Sequence, residues 1–159
     1  MNTLSTQQLS EYQHKIFNFS CKNGKENDVI KLINKINIQN NNEPINKASK
    51  NGHYNIVKIL IDNKFKVTKK SVLNSYNNKH YEITKNLIGN GGNVHLDDDF
   101  LIRDSCENNN IEMVEFLINH GSDVHVHNEY CLITSIEKNY EMLTSLLIKK
   151  NANTHTECD

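Results

Sequence analysis

The sequence predicts an all-α solenoid of about five stacked helix-turn-helix units joined by short hairpins or loops. Three observations carry this. The stretches LIGNGGNVHLDDD, LINHGSDVHVHNE and LIKKNANTHTECD begin at Leu87, Leu117 and Leu147, 30 residues apart, so His95, His125 and His155 fall in register. Apolar residues recur at i, i+1, i+4 and i+5, as in Ile56, Val57, Leu60 and Ile61 and again in Met113, Val114, Leu117 and Ile118, which is one face of a 3.6-residue helix. A helix pair this short cannot bury its apolar face alone, whereas stacked copies share one core.

In chain order, residues 1–15 form a polar segment or helical cap in which Leu4, Leu9 and Tyr12 are available to cover the first unit. Residues 16–159 then divide into units at approximately 16–42, 43–69, 70–98, 99–129 and 130–159. The first carries Ser20-Cys21-Lys22-Asn23-Gly24 and, after a one-residue insertion, Asp28-Val29-Ile30-Lys31-Leu32-Ile33. The second carries Ala48-Ser49-Lys50-Asn51-Gly52-His53, and the third Ser75-Tyr76-Asn77-Asn78-Lys79-His80. The fourth and fifth open Ser105-Cys106-Glu107-Asn108 and Ser135-Ile136-Glu137-Lys138, giving successive spacings of 28, 27, 30 and 30. The small residues mark where two helices approach closely. Gly24 and Gly52 suit the turn between helices, and Gly91 and Gly121 the end of the second helix. The last unit closes on Ala152-Asn153-Thr154-His155 with a frayed tail.

Composition bounds the function. An apolar fraction of 36% with asparagine runs at 40–42 and 108–110 is compatible with disorder, but the apolar residues are gathered in periodic blocks, which excludes that reading for most of the chain. No apolar run reaches the ~18 residues of a membrane span and no apolar signal region opens the chain, so the sequon at Asn18-Phe19-Ser20 is expected to stay unmodified. Cys21, Cys106, Cys131 and Cys158 are widely separated, without metal-knuckle spacing, which favours a reducing compartment, cytosol or nucleus. Charge is strongly divided. Residues 1–90 hold fourteen lysines against six acidic residues, a net +8, whereas residues 91–159 hold four basic against thirteen acidic residues, a net −9.

These units resemble ankyrin repeats. Pro44-Ile45-Asn46 is similar to the start of the family's T-P-L-H-x-A pattern, Gly52-His53 with Ile56-Val57 and Leu60-Ile61 to its middle, and Gly121-Ser122-Asp123-Val124 to its end. The resemblance covers roughly residues 16–159. Spacings of 27–30 fall short of the family's 33 residues, and only one unit keeps its proline, so the fingers between units are expected to be clipped. The asparagine-, lysine- and isoleucine-rich style is similar to that of ankyrin proteins of giant DNA viruses and AT-rich protists.

The resemblance implies a non-catalytic module that binds a protein partner through its concave face and hairpin edge. The concave-face positions follow the small pair: Lys22 and Asn23, Lys50 and Asn51, Asn77 and Asn78, Glu107 and Asn108, Glu137 and Lys138. They grade from basic to mainly acidic. Asp97, Asp98, Asp99, His127 and Glu129 mark the hairpin edge. Such a gradient suits an oppositely polarised partner or head-to-tail association of two copies. The resemblance also implies that His53 and His80 bridge the turns of adjacent units.

Rival chemistries are weaker. The motifs GxSxG, HExxH and GxxxxGK are absent, so no enzyme is expected. Rungs of the histidine column lie ~8–10 Å apart, whereas zinc needs each nitrogen at ~2.0–2.1 Å. His125 and His127 with Asp97 form the one plausible grouping, and it lacks a closed set of four ligands, so neither metal nor cofactor is expected. Polar completion of turns is the expected role of the column. The basic half offers lysines without an aromatic platform, which disfavours nucleic acid. Cys21 and Cys106 lie three units apart, about 30 Å at the same layer spacing, so no disulfide joins them.

Overall fold

The structure, a computed structural model, describes residues 6–36 and 41–155, the side chains of Thr6 and residues 151–155 excepted. Among the described residues there are ten helices and no strand. They form two compact units, residues 1–92 and 93–159.

In the first unit, α1 (Thr6–Lys22), α3 (Glu43–Lys50) and α5 (Lys69–Asn77) stack as one layer, and α2 (Glu26–Ile33), α4 (Tyr54–Asp62) and α6 (Tyr81–Gly89) as the other. In the second, α7 (Phe100–Glu107) packs on α9 (Val126–Glu137), and α8 (Ile111–Asn119) on α10 (Glu141–His155). Each helix of the first kind forms a hairpin with the helix after it. The units are therefore all-α repeat stacks, as the period implied.

Local chemistry starts and stops these short helices. Pro44 sits in the first turn of α3, where its missing N–H costs nothing. Thr68 and Ser71 form a reciprocal capping box on α5, each hydroxyl accepting the other's backbone N–H at 3.0 Å. Asn110 caps α8 by accepting from the Met113 N–H at 3.1 Å. Asparagine also terminates them. The side-chain amides of Asn23, Asn51, Asn63, Asn78, Asn90 and Asn108 each donate to the carbonyl four residues back, at 2.7–2.8 Å. For Asn23, Asn51, Asn63, Asn90 and Asn108 the same carbonyl also accepts that residue's backbone N–H, at 3.0–3.2 Å, so the amide adds a second donor at the helix end.

The core follows the second-helix pattern. Leu60 and Leu87 in the first unit, and Leu117 and Leu147 in the second, occupy one register position and are fully or almost fully buried. Ile56, Ile83, Met113 and Leu143 repeat in the position four residues earlier. Hydroxyls join the helices of two hairpins: Ser75 to Thr84 and Ser135 to Thr144, both at 2.8 Å.

Two expectations at the ends are corrected. Leu9 and Tyr12 are exposed, at 47% and 59%, and do not cover the first repeat. The reason is length: α1 has 17 residues but α2 and α3 have eight each, so about half of α1 overhangs its neighbours. Leu4 lies outside the described residues. At the other end, α10 continues helical to His155, so the third member of the histidine column does not stand in a loop. Gly91 and Gly121, whose positive φ ends the earlier helices, are replaced there by Asn151.

Candidate interaction surface

The predicted partner-facing residues sit where the period puts them, at the C-terminal ends of the first helices. Lys22 and Asn23, Lys50 and Asn51, and Asn77 and Asn78 are exposed at the ends of α1, α3 and α5. Asn108, Glu137 and Lys138 are exposed at the ends of α7 and α9, and Glu107 is half-buried. Their roles divide more sharply than sequence suggested. Asn23, Asn51, Asn78 and Asn108 spend their amide donors on helix ends, which leaves their carbonyl oxygens for other contacts.

Glu107 is the centre of a network rather than a free acid. One carboxylate oxygen accepts from Lys138 Nζ at 2.5 Å and the other from the Tyr130 hydroxyl at 2.9 Å. Lys138 also donates to the Glu107 carbonyl at 3.2 Å. The hydrogen bond from Lys138, then that from Tyr130, holds the Glu107 carboxyl below its usual range, and the same contact raises Lys138. The interaction is in place above the ordinary carboxylate range and is lost only as pH falls through the lowered value. Sequence spacing alone gives no sign of it, because the partners lie 23 and 31 residues away.

The turns between helices lock adjacent repeats. His53 donates from Nε2 to the Lys22 carbonyl at 2.9 Å, and its ring lies over Gly24. His80 lies over Gly52 in the same way. The bridging role implied for His53 is thus observed.

The loops before α7 and within the start of α9 share one construction. The Oδ1 atoms of Asn93 and Asp123 accept from the N–H groups of His95 and His125 at 2.9 Å. Residues 97–99 and 127–129 then each hold three consecutive left-handed φ values, between 49° and 64°, an arrangement that L-residues seldom sustain. Each turn is tied by its histidine: His95 Nδ1 meets Asp99 at 2.7 Å, and His125 Nδ1 meets Glu129. His127 Nε2 reaches Asp98 at 2.8 Å and joins the two turns. Asp97 lies in the first turn, and no grouping of metal-ligand type forms among the described residues. The histidine column completes turns, as expected for His95 and His125.

The Glu129 hydrogen bond raises the His125 pKa. Its contribution to stability is therefore fully present below the ordinary imidazole value of about 6.5 and is lost as pH rises through the raised value. The urea midpoint is expected to fall between pH 6 and pH 8.5, and His125→Gln to flatten that fall. An unchanged slope in the variant removes His125 from the effect.

Cysteine placement holds one feature that spacing missed. Cys106 and Cys131 are fully buried, and hydrogen bonding to the Cys131 thiol, together with burial, pushes the Cys106 thiol up. Cys131 itself lies 3.9 Å from the Ile102 carbonyl. Burial pushes Cys21 up to about 12. All three are free thiols. A disulfide reagent at pH 8 is expected to leave Cys21, Cys106 and Cys131 unmodified in folded protein and to react with them in urea, as mapped by peptide mass spectrometry. Rapid native labelling of any of the three sinks this expectation.

No helix among the described residues is long and apolar enough to cross a membrane. No curated protein gives a significant match to the chain. A family model for ankyrin repeats in three copies matches residues 72–158, which spans α6 to α10 and most of α5. With matching helix hairpins continuing upstream as α1 to α4, the observed repeats and the match agree: the chain belongs to the ankyrin repeat family.

Proposed function

We propose that this chain is a non-catalytic recognition module that binds a protein partner through the exposed ends of its first helices and the edge formed by its two left-handed turns. Ankyrin repeats are generally protein-interaction modules, and the family is typically non-catalytic. One observation carries the reading. Lys22, Lys50 and Asn77 are exposed at matching positions on successive helix ends of the first unit, and Glu137 is exposed at the same register position in the second. Repetition of side chains at regular spacing within a repeat stack favours a surface that reads an extended partner. Asp98, with His127 against it at 2.8 Å, adds an acidic residue to that edge, and steering by such charge raises the association rate more than the affinity.

The test compares capture of proteins from a cell lysate by the wild type and by a variant carrying Lys22→Glu, Lys50→Glu and Glu137→Lys. Glu107 is left intact, since its carboxylate holds Lys138 and Tyr130. Both proteins are first checked for equal helicity by circular dichroism. Proteins retained by the wild type and lost by the variant support the reading. Identical capture by both overturns the helix-end surface.

A further inference from the structure

We infer that the turns joining the paired helices of the first unit form a groove for an extended acidic segment of a protein partner. The inference rests on the recognition reading above and names the chemistry that it reads.

Two open cavities lie side by side along these turns. One, of about 310 Å³, runs from Gly24 and Glu26 to Gly52 and Tyr54. The other, of about 510 Å³, runs from Gly52 and Tyr54 to Lys79 and Tyr81. Gly52 and Tyr54 belong to both, so the cavities make one groove across three consecutive turns. At ~8–10 Å per layer the turns span ~16–20 Å, the reach of about five or six extended residues at ~3.3 Å each. An open groove of this length fits a stretch of chain, whereas a small molecule calls for an enclosed pocket.

The groove offers a partner both apolar and polar contacts. Tyr54 is 41% exposed and Tyr81 half-buried, at the same position of successive turns. The Tyr81 ring is braced edge-on by Tyr76, with centroids 5.7 Å apart. Neither the Tyr54 nor the Tyr81 hydroxyl is bonded to another described residue. Such a side chain gives a rigid apolar body and a free polar tip, the combination that anchors interfaces.

Charge selects the occupant. Lys22 and Lys25 flank Gly24, Lys50 stands two residues before Gly52, and Lys79 is in the wall itself. All four are exposed, and none forms an ion pair among the described residues. Lys25 lies over the exposed ring of Phe19, 5.1 Å from its centre. The two acids lining the cavities, Glu26 and Glu82, are already engaged. Glu26 accepts from the Asn55 amide at 3.1 Å, and Glu82 pairs with Lys85 at 3.1 Å. Positive charge is therefore in surplus, and carboxylates on a partner complement it. A phosphate backbone, charged at every step, would also meet Glu26 and Glu82. A peptide can set its acids against the lysines and neutral residues against those two, which favours protein over nucleic acid.

Selection of a random peptide library on the full chain tests this, with the affinities of the selected peptides measured by fluorescence anisotropy. The selected sequences are expected to be rich in Asp and Glu and to bind more weakly as salt is added. Tyr54→Ala with Lys79→Glu is expected to weaken them by at least about tenfold, with helicity unchanged by circular dichroism. Glu137→Lys, in the other unit, is expected to leave them unaffected. A selection that yields no binder, or binders without an excess of acids, overturns the proposal. Undiminished binding to the Tyr54 and Lys79 variant also overturns it. If those same peptides are lost from the variant carrying Lys22→Glu, Lys50→Glu and Glu137→Lys, the groove falls and the helix-end surface stands. A single-stranded oligothymidine that displaces the peptides and binds more tightly overturns the proposal in favour of nucleic acid.

Discussion

Gly24→Ala is expected to lower the unfolding free energy by about 2–3 kcal/mol, combining a left-handed residue's cost of roughly 1–2 kcal/mol with a lost hydrogen bond of about 0.5–1.5 kcal/mol. Gly24 has φ +72°, and a Cβ there would lie 2.8 Å from His53 Cε1 and 3.0 Å from Nδ1. The imidazole must move, and it then releases the Lys22 carbonyl that it now holds at 2.9 Å. His53→Ala removes the hydrogen bond but leaves the glycine relaxed, so it should cost less. The pair is diagnostic because the two changes share one contact and should not add. Urea unfolding of the two single variants and the double gives the coupling. Additive losses would mean that ring and glycine act separately, and the account of this turn would fail.

The second large effect is a gradient along one register position. Leu60→Ala is expected to cost about 2–5 kcal/mol, the range for deleting a fully buried leucine and leaving a cavity. Leu60 is wholly buried between layers of its unit. Leu32 holds the same position one repeat earlier, because α2 and α4 begin 28 residues apart, without the insertion expected from sequence. It is half-buried in a groove lined with Ile16, Asp28, Lys31 and Lys35, so its truncation should cost about half as much or less, in proportion to the apolar area it removes from water. Denaturant midpoints measured at low protein concentration decide it. Equal costs would mean that the first repeat is covered as thoroughly as its neighbours.

The repeat was legible because it is written in apolar residues whose spacing can be counted. Ile56, Val57, Leu60 and Ile61 lie within α4, and Met113, Val114, Leu117 and Ile118 within α8. The helix ends were legible in part, through Gly24, Gly52 and Pro44. What escaped was set by contacts rather than by pattern. Glu107 looks like a surface acid until Tyr130 and Lys138 converge on it. The adjacency of Cys106 and Cys131 depends on how α9 lies on α7. The turns at 97–99 and 127–129 contain no glycine, and three left-handed residues in succession are so disfavoured that no local rule proposes them. The asparagines hold a role that composition did not show. Their abundance is compatible with disorder, a reading the periodic apolar blocks exclude for most of the chain, and six of them close helices.

Those capping amides also bear on the chemical ageing of the protein. Asn23, Asn51 and Asn90 are each followed by glycine, the step at which asparagine most readily cyclises to a succinimide and deamidates. The reaction needs the side-chain carbonyl carbon to swing onto the next backbone nitrogen. Here each amide is held four residues back along its helix, and the Gly91 nitrogen is itself engaged with the Ile88 carbonyl at 3.0 Å. Folding therefore protects these sites from a slow covalent lesion that would turn a donor into a carboxylate at a helix C-terminus, where negative charge is unfavourable. The lifetime of the intact molecule is in this sense a property of its repeat ends, and deamidation should accumulate at Asn23, Asn51 and Asn90 only in protein held unfolded.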